Sequence, residues 1–257
     1  MWETIIVNPF TNVLLLIYHF VGQNFGVAII IFTILIRLVT HPLMAKQIKS
    51  TQALQQMQQS KSWLDIQKKY KDDREKLAQE QMKMYKEAGV SPFGSCLPSF
   101  IQLPIMFGLY QSVIRALAAS PIQLLILTRA VWPLAGISDL VPINSTFLWM
   151  NLGQPERIYI GSIAIPLLAI IVAITTFIQS KVTIPPTTNP NDQAAQMNKS
   201  MTMMMPLMMG YFALTFASGL AVYIIVGNLL SLVQYALLGK IYWNNLLPKS
   251  KGTEKAK

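Results

Sequence analysis

The sequence predicts an all-α polytopic membrane protein: five transmembrane helices, a cytoplasmic antiparallel helical hairpin and a hydrophilic groove in the inner leaflet. Three observations lead there. Of the 257 residues 53% are hydrophobic and only 12% charged, too apolar for an ordinary soluble domain. Five apolar runs approach the roughly 20 helical residues that a hydrocarbon core of about 30 Å requires. Between the first two runs lies a stretch of different material, rich in Gln, Lys and Glu and free of Pro and Gly.

The spans are placed at residues 25–43, 92–117, 158–180, 201–217 and 220–240, with Ser218 and Gly219 as the tight connection between the last two. Ahead of the first span, residues 1–24 contain NPFTNVLLLIYHF. Its apolar run is too short to cross and predicts an interfacial helix; a degenerate signal segment is the alternative, weakened by the lack of a basic start and a small-residue cleavage site.

Lys and Arg set the orientation. They crowd the segment 44–91, recur at Lys181 and Lys199 in the connection 181–200, and end the chain in a basic tail over 241–257, whereas the long loop 118–157 and its borders carry only Arg115, Arg129 and Arg157. The basic segments are therefore expected in the cytoplasm, with the amino end outside and the carboxyl end inside. Trp132, Trp149 and Tyr159 on the outer side, and Tyr242 and Trp243 on the inner, stand where interfacial aromatics belong.

The cytoplasmic insert predicts two helical arms. Asp72 and Glu75 have capping-box spacing, which starts a second helix near Asp73 and ends it near Ala88. Met57 and Leu64 on the first arm face Leu77, Met84, Tyr85 and Ala88 on the second.

No nucleophile, carboxylate pair or metal cluster emerges; His19 and His41 have no ligand partners at helical spacing, and one cysteine, Cys96, excludes an internal disulfide. No enzymatic activity and no cofactor are expected. Arg37 is the formal charge well inside a span, roughly 13 Å along the helix from Lys46. An arginine at mid-helix costs about 2.5–3.5 kcal/mol on insertion scales, so it calls for a wet cavity or a partner, and the spans supply no carboxylate. Snorkelling toward the headgroups is the plain alternative. Gln102, Gln111, Thr175, Thr176, Gln179, Asn228, Ser231 and Gln234 could line a polar groove open to the cytoplasm, though such residues also simply bond between helices. The methionine run MTMMMPLMMG offers flexible apolar side chains, Met204 and Met208 among them, for varied partners or for ordinary lipid packing.

In order along the chain, IRLVTHPL, KKYKDDREKLAQEQMKMYKEAGV, SPFGSCLPSFIQLPIMFGLY, FLWMNLG, MTMMMPLMMGYF and GLAVYIIVGNLLSLVQY resemble the YidC, Oxa and Alb insertase family of bacterial, thylakoid and mitochondrial membranes. The resemblance covers nearly the whole chain, in its short form without a large extracytoplasmic domain. It implies that Arg37 is the groove arginine and Gln179 a groove residue of the third span; Gln102, Thr176, Asn228 and Gln234 are expected in the same groove, and Met204, Met208 and Ile224 are expected to touch hydrophobic clients. Ile224 stands where many members carry Trp, and Ser91 where Asn commonly precedes the proline.

The implied activity is insertion and chaperoning of nascent membrane proteins without nucleotide hydrolysis. The implied partners are those clients, ribosomes or targeting factors recruited by the basic tail and hairpin, a Sec translocon, and anionic lipids. The location expected is the bacterial plasma membrane, with thylakoid or mitochondrial inner membrane as the alternative. A small anion transporter or channel, or a scaffold without insertion activity, are the rival functions; no internal repeat supports the transporter.

Overall fold

A computed structural model of the chain describes residues 1–71, 73–89, 97–117, 120–130, 143–183, 193–239 and 241–245. Asp72, Ser91, Cys96, Trp132, Lys240 and the end of the basic tail lie outside them.

A π-helical turn, Glu3–Val7, leads into α1, Asn8–Phe20. This helix packs against α2 (Phe25–Gln58) and α5 (Leu97–Ala116), where Leu14, Leu15 and Tyr18 are buried in the same core as Phe25, Ile29, Phe32, Leu109 and Val113. The rings of Phe10 and Phe32 meet edge to face at 5.1 Å, those of Tyr18 and Phe25 at 5.9 Å. The amino end is strapped to α5: Arg115 lies 3.3 Å from Glu3 and donates to Asn8 Oδ1 at 2.5 Å, and Trp2 Nε1 donates to Gln111 Oε1 at 2.7 Å. Gln111, grouped in the sequence with the groove residues, thus serves this strap.

Helix α2 does not stop at residue 43. It runs for 34 residues, with Pro42 inside it, into the Gln-rich insert, whose good helix formers extend it to Gln58. The insert is completed by α3 (Lys61–Lys69) and α4 (Arg74–Glu87), which pack on each other. Ser60 caps α3 by accepting the Trp63 N–H at 3.3 Å. Asp73 caps α4 by accepting the Lys76 N–H at 3.1 Å. Trp63 is buried with its ring 5.4 Å from that of Tyr85, a contact missing from the stripe expected of the sequence.

Helix α6 (Pro121–Ala130) follows α5 at a bend of 115° and occupies part of the expected loop. Two hairpins come next, β1 (Thr146–Phe147) with β2 (Met150–Asn151), and β3 (Ile158–Ile160) with β4 (Ile163–Ile165). The second corrects the expected start of the third span at 158. Residues 158–165 alternate β-branched positions around a Gly-Ser turn, so they pair as strands, and α7 begins only at Leu167.

Helix α8 (Gln193–Thr215) starts earlier than position 201. The break before α9 (Ser218–Leu237) falls at Phe216 and Ala217, so Ser218 and Gly219 form the first turn of α9 instead of a linker. Their N–H groups, which no helical carbonyl can satisfy, donate to Gln154 O at 2.9 Å and Leu152 O at 3.0 Å.

The hairpin segment gathers the helix ends on one side of the bundle. Phe147 fills the space beside Gly26 at the start of α2, and Leu117, after α5, lies against Gly153. The buried carboxylate of Glu156 accepts the Leu168 N–H at 3.0 Å and the Trp149 indole N–H at 3.1 Å, capping α7 where helix donors are free. At the opposite end Tyr242 N–H donates to Val182 O at 2.9 Å and Asn245 to Lys181 O at 3.1 Å, closing the last turn of α7. Among the described residues, α2 and α9 are long and apolar enough to cross a membrane, and the bent pair of α5 and α6 could make a third span; α7 and residues 202–215 of α8 are shorter apolar helices.

Candidate functional site

The site is organised by α9. Tyr223, Gly227, Ser231 and Gln234 recur at three- and four-residue spacing and therefore share one side of the helix. Each of three neighbouring helices meets α9 at or beside this side.

Helix α2 brings Arg37, roughly 18 Å along its axis from Phe25. A Cβ placed on Gly227 would stand 3.1 Å from Arg37 Nη2 and 3.9 Å from Nε, so the guanidinium packs on bare α9 backbone. One level higher, a Cβ on Gly219 would lie 3.2 Å from Ile29 Cδ1. Both contacts have the same offset in sequence, so α2 and α9 run parallel and in step for eight residues, roughly 12 Å. The hydroxyls of Tyr223 and Tyr235 lie within electrostatic reach of the guanidinium. Among the described residues Arg37 has no carboxylate at ion-pair distance and its side chain donates no hydrogen bond.

Helix α5 brings Gln102, whose Nε2 donates to the Tyr223 hydroxyl. Helix α7 brings Thr175 and Thr176, which accept from Asn228 Nδ2 at 3.2 and 2.9 Å. Thr175 in turn donates to Ile171 O at 2.8 Å and Ser231 to Gly227 O at 2.8 Å, leaving these hydroxyls satisfied within the bundle. Gln179 lies one turn beyond the threonines on α7, half-buried, and its amide makes no hydrogen bond among the described residues. Thr176, Asn228 and Gln234 are buried, and Gln234 Nε2 has no hydrogen-bond partner among the described residues.

Arg37, Gln102, Thr176 and Asn228 thus converge through contacts with α9. No contact ties Gln179 to Arg37 among the described residues. The expected client-facing residues divide: Met204 is 67% and Met208 39% exposed, whereas Ile224 is 7% exposed and belongs to the core. Ile224 is packed between helices, and the exposed apolar surface here belongs to the methionines.

Comparison with known proteins settles the family. The model of the 60Kd inner membrane protein family matches residues 16–245. The chain is 34% identical over 239 residues to membrane protein insertase YidC 2 of Bacillus anthracis, covering 92% of this chain and 80% of the relative. It belongs to the YidC insertase family.

Other YidC-family relatives agree. YidC 2 of Listeria innocua is 36% identical over 250 residues, covering 95% of this chain and 74% of its own. Insertase MisCA of Bacillus subtilis is 32% identical over 257 residues, covering 99% and 85%. A crystal structure of active YidC insertase with its first transmembrane domain resolved superposes with a TM-score of 0.57 at 23% identity, covering 94% of this chain and 47% of that one, and supports the fold.

Two residues of this site, Tyr223 and Gly227, are not among the groove residues expected from the sequence. The usable signal was the spacing of Gly219, Tyr223 and Gly227, which predicts one close-packed side of the last helix.

Proposed function

We propose that the protein inserts nascent membrane proteins into the bacterial plasma membrane, without nucleotide hydrolysis, through a polar groove built around Arg37. The observation that carries this reading is a guanidinium inside an apolar helix with no protein counter-ion among the described residues, in a member of the YidC insertase family.

The five spans are assigned to the first part of α2, then α5, α7, α8 and α9, with the hairpin end outside and the Lys-rich insert in the cytoplasm. Water held near Arg37, with Gln102, Thr176, Gln179, Asn228 and Gln234 alongside, shortens the apolar path that a polar client segment must cross. The positive charge holds an acidic client tail through charge-assisted hydrogen bonds. The client's apolar helix then moves along the exposed side of Met204 and Met208 into lipid. Burial of apolar surface supplies the downhill direction. The Lys-rich insert and tail attract ribosomal RNA or anionic lipid.

The test is insertion of a purified client with an acidic tail into proteoliposomes containing the parent or an Arg37 variant. Arg37→Lys retains insertion, Arg37→Ala weakens it and Arg37→Glu abolishes it. Equal insertion by all of them at equal abundance disproves the charge mechanism, and solute flux without insertion points to a transporter.

A further inference from the structure

The two β-hairpins near the starts of α2, α7 and α9 are the same device with different tips. Register pairs Phe147 with Met150 in one and Ile160 with Ile163 in the other, so each turn has two residues. In each, only the first turn residue has positive φ: 54° at Leu148 and 65° at Gly161. That pattern of φ is the one a type II′ turn requires, and a positive φ at the first central position favours glycine. Gly161 and Ser162 meet the requirement with a polar tip. Leu148 does not: a bulky side chain is held in the left-handed region and is 73% exposed, beside Trp149 at 55%. The indole N–H of Trp149 is directed inward to Glu156, so the tip offers its surroundings an apolar body with its polar handle already occupied.

Resting on the membrane-spanning arrangement proposed above, we infer that Leu148 and Trp149 form an anchor buried among the lipids of the outer leaflet. The occupant follows from position. Phe147 sits against Gly26 in the first turn of α2, and Trp149 shares Glu156 with the first turn of α7, so the tip lies at the level where these helices enter the bilayer. Just along α7, Ile170, Ile174 and Phe177 are exposed apolar residues that the proposed arrangement turns toward lipid. Lipid contact recovers the unfavourable exposure of Leu148, and the bond from Trp149 to Glu156 ties the anchor to the helix that carries Thr175 and Thr176.

The test uses the full chain with Cys96→Ser and one cysteine at a time, labelled with a fluorophore, in vesicles of phosphatidylglycerol and phosphatidylethanolamine. Leu148→Cys reports the anchor, Ser162→Cys the polar hairpin and Leu38→Cys an exposed position of the first span. Quenching by lipid spin-labelled near the headgroup is expected to be at least threefold stronger at 148 than at 162, and quenching by aqueous iodide at least threefold weaker. If the probe at 148 matches that at 162 while position 38 is lipid-quenched, the anchor is disproved and the spanning arrangement stands. If position 38 also fails to meet lipid, the spanning arrangement falls and the anchor with it. Protection of position 148 from both quenchers, with position 38 lipid-quenched, means that protein covers the tip and likewise overturns the inference.

Discussion

A methyl group on Gly227 would lie 3.1 Å from Nη2 of Arg37, so the charged end of an α2 side chain rests on the bare backbone of α9. The guanidinium end is flexible and can yield a few tenths of an ångström to a methyl. Gly227→Ala is therefore expected to insert clients at close to the parent level and to gain about 0.5–1 kcal/mol of helix stability. Gly227→Leu displaces the guanidinium and is expected to lower insertion of an acidic-tailed client several-fold. Insertion assays paired with thermal unfolding in detergent check both; parent-level insertion by Gly227→Leu contradicts the role assigned to this contact.

Asn228 joins α9 to α7 through Thr175 and Thr176. Interhelical bonds of this kind contribute about 0.6 kcal/mol on average and up to about 1.7. Asn228→Ala is expected to destabilise by an amount in that range, and a double-mutant cycle with Thr176→Val to return a coupling of at least about 0.5 kcal/mol. Strictly additive losses would show that the two side chains do not depend on each other.

Glu156 uses both carboxylate oxygens, one for Leu168 N–H and one for Trp149. Removing a buried cap leaves unpaired donors, so Glu156→Ala is expected to cost about 1–3 kcal/mol. Glu156→Gln keeps one acceptor oxygen and is expected to lose roughly half as much, with a smaller change in Trp149 fluorescence. Equal losses for the two variants would exclude hydrogen bonding as the basis.

In the Lys-rich insert, Trp63 is buried against Tyr85. Trp63→Ala is expected to cost about 3–5 kcal/mol locally and to expose residues 61–87 to limited proteolysis. Fragments should appear from this segment before any from α7 or α9. Simultaneous cleavage throughout would mean that the insert and the bundle unfold together.

Much of the helical order was legible in the sequence because apolar runs and a Pro-free, Gly-free insert are strong long-range signals. Arg37 was legible for the same reason, as a charge where the pattern demands none. The strands at 158–165 were not, since alternating Ile in an apolar run reads as a continuation of a span; the Gly161-Ser162 turn was the one clue. The start of α9 was misplaced because Ser218 and Gly219 look like a linker until the carbonyls of Leu152 and Gln154 are brought to their N–H groups from elsewhere in the chain. Within the site, polar residue types identified Gln102, Thr176 and Asn228, but their partners are settled by helix rotation, which spacing alone leaves free. Ile224 illustrates the same limit: its apolar character fits a client surface or the core, and packing places it in the core.

Helix α2 carries Arg37 and, without a chain break, the insert beyond it, yet Pro42 stands between the two. Proline has no N–H, so the rung to the Leu38 carbonyl is missing and the rod is weakest there. A large body seizing the arm beyond Pro42 would flex this joint before it dislodged the guanidinium from its glycine seat. The molecule can thus be tugged from below while its charged centre keeps its alignment.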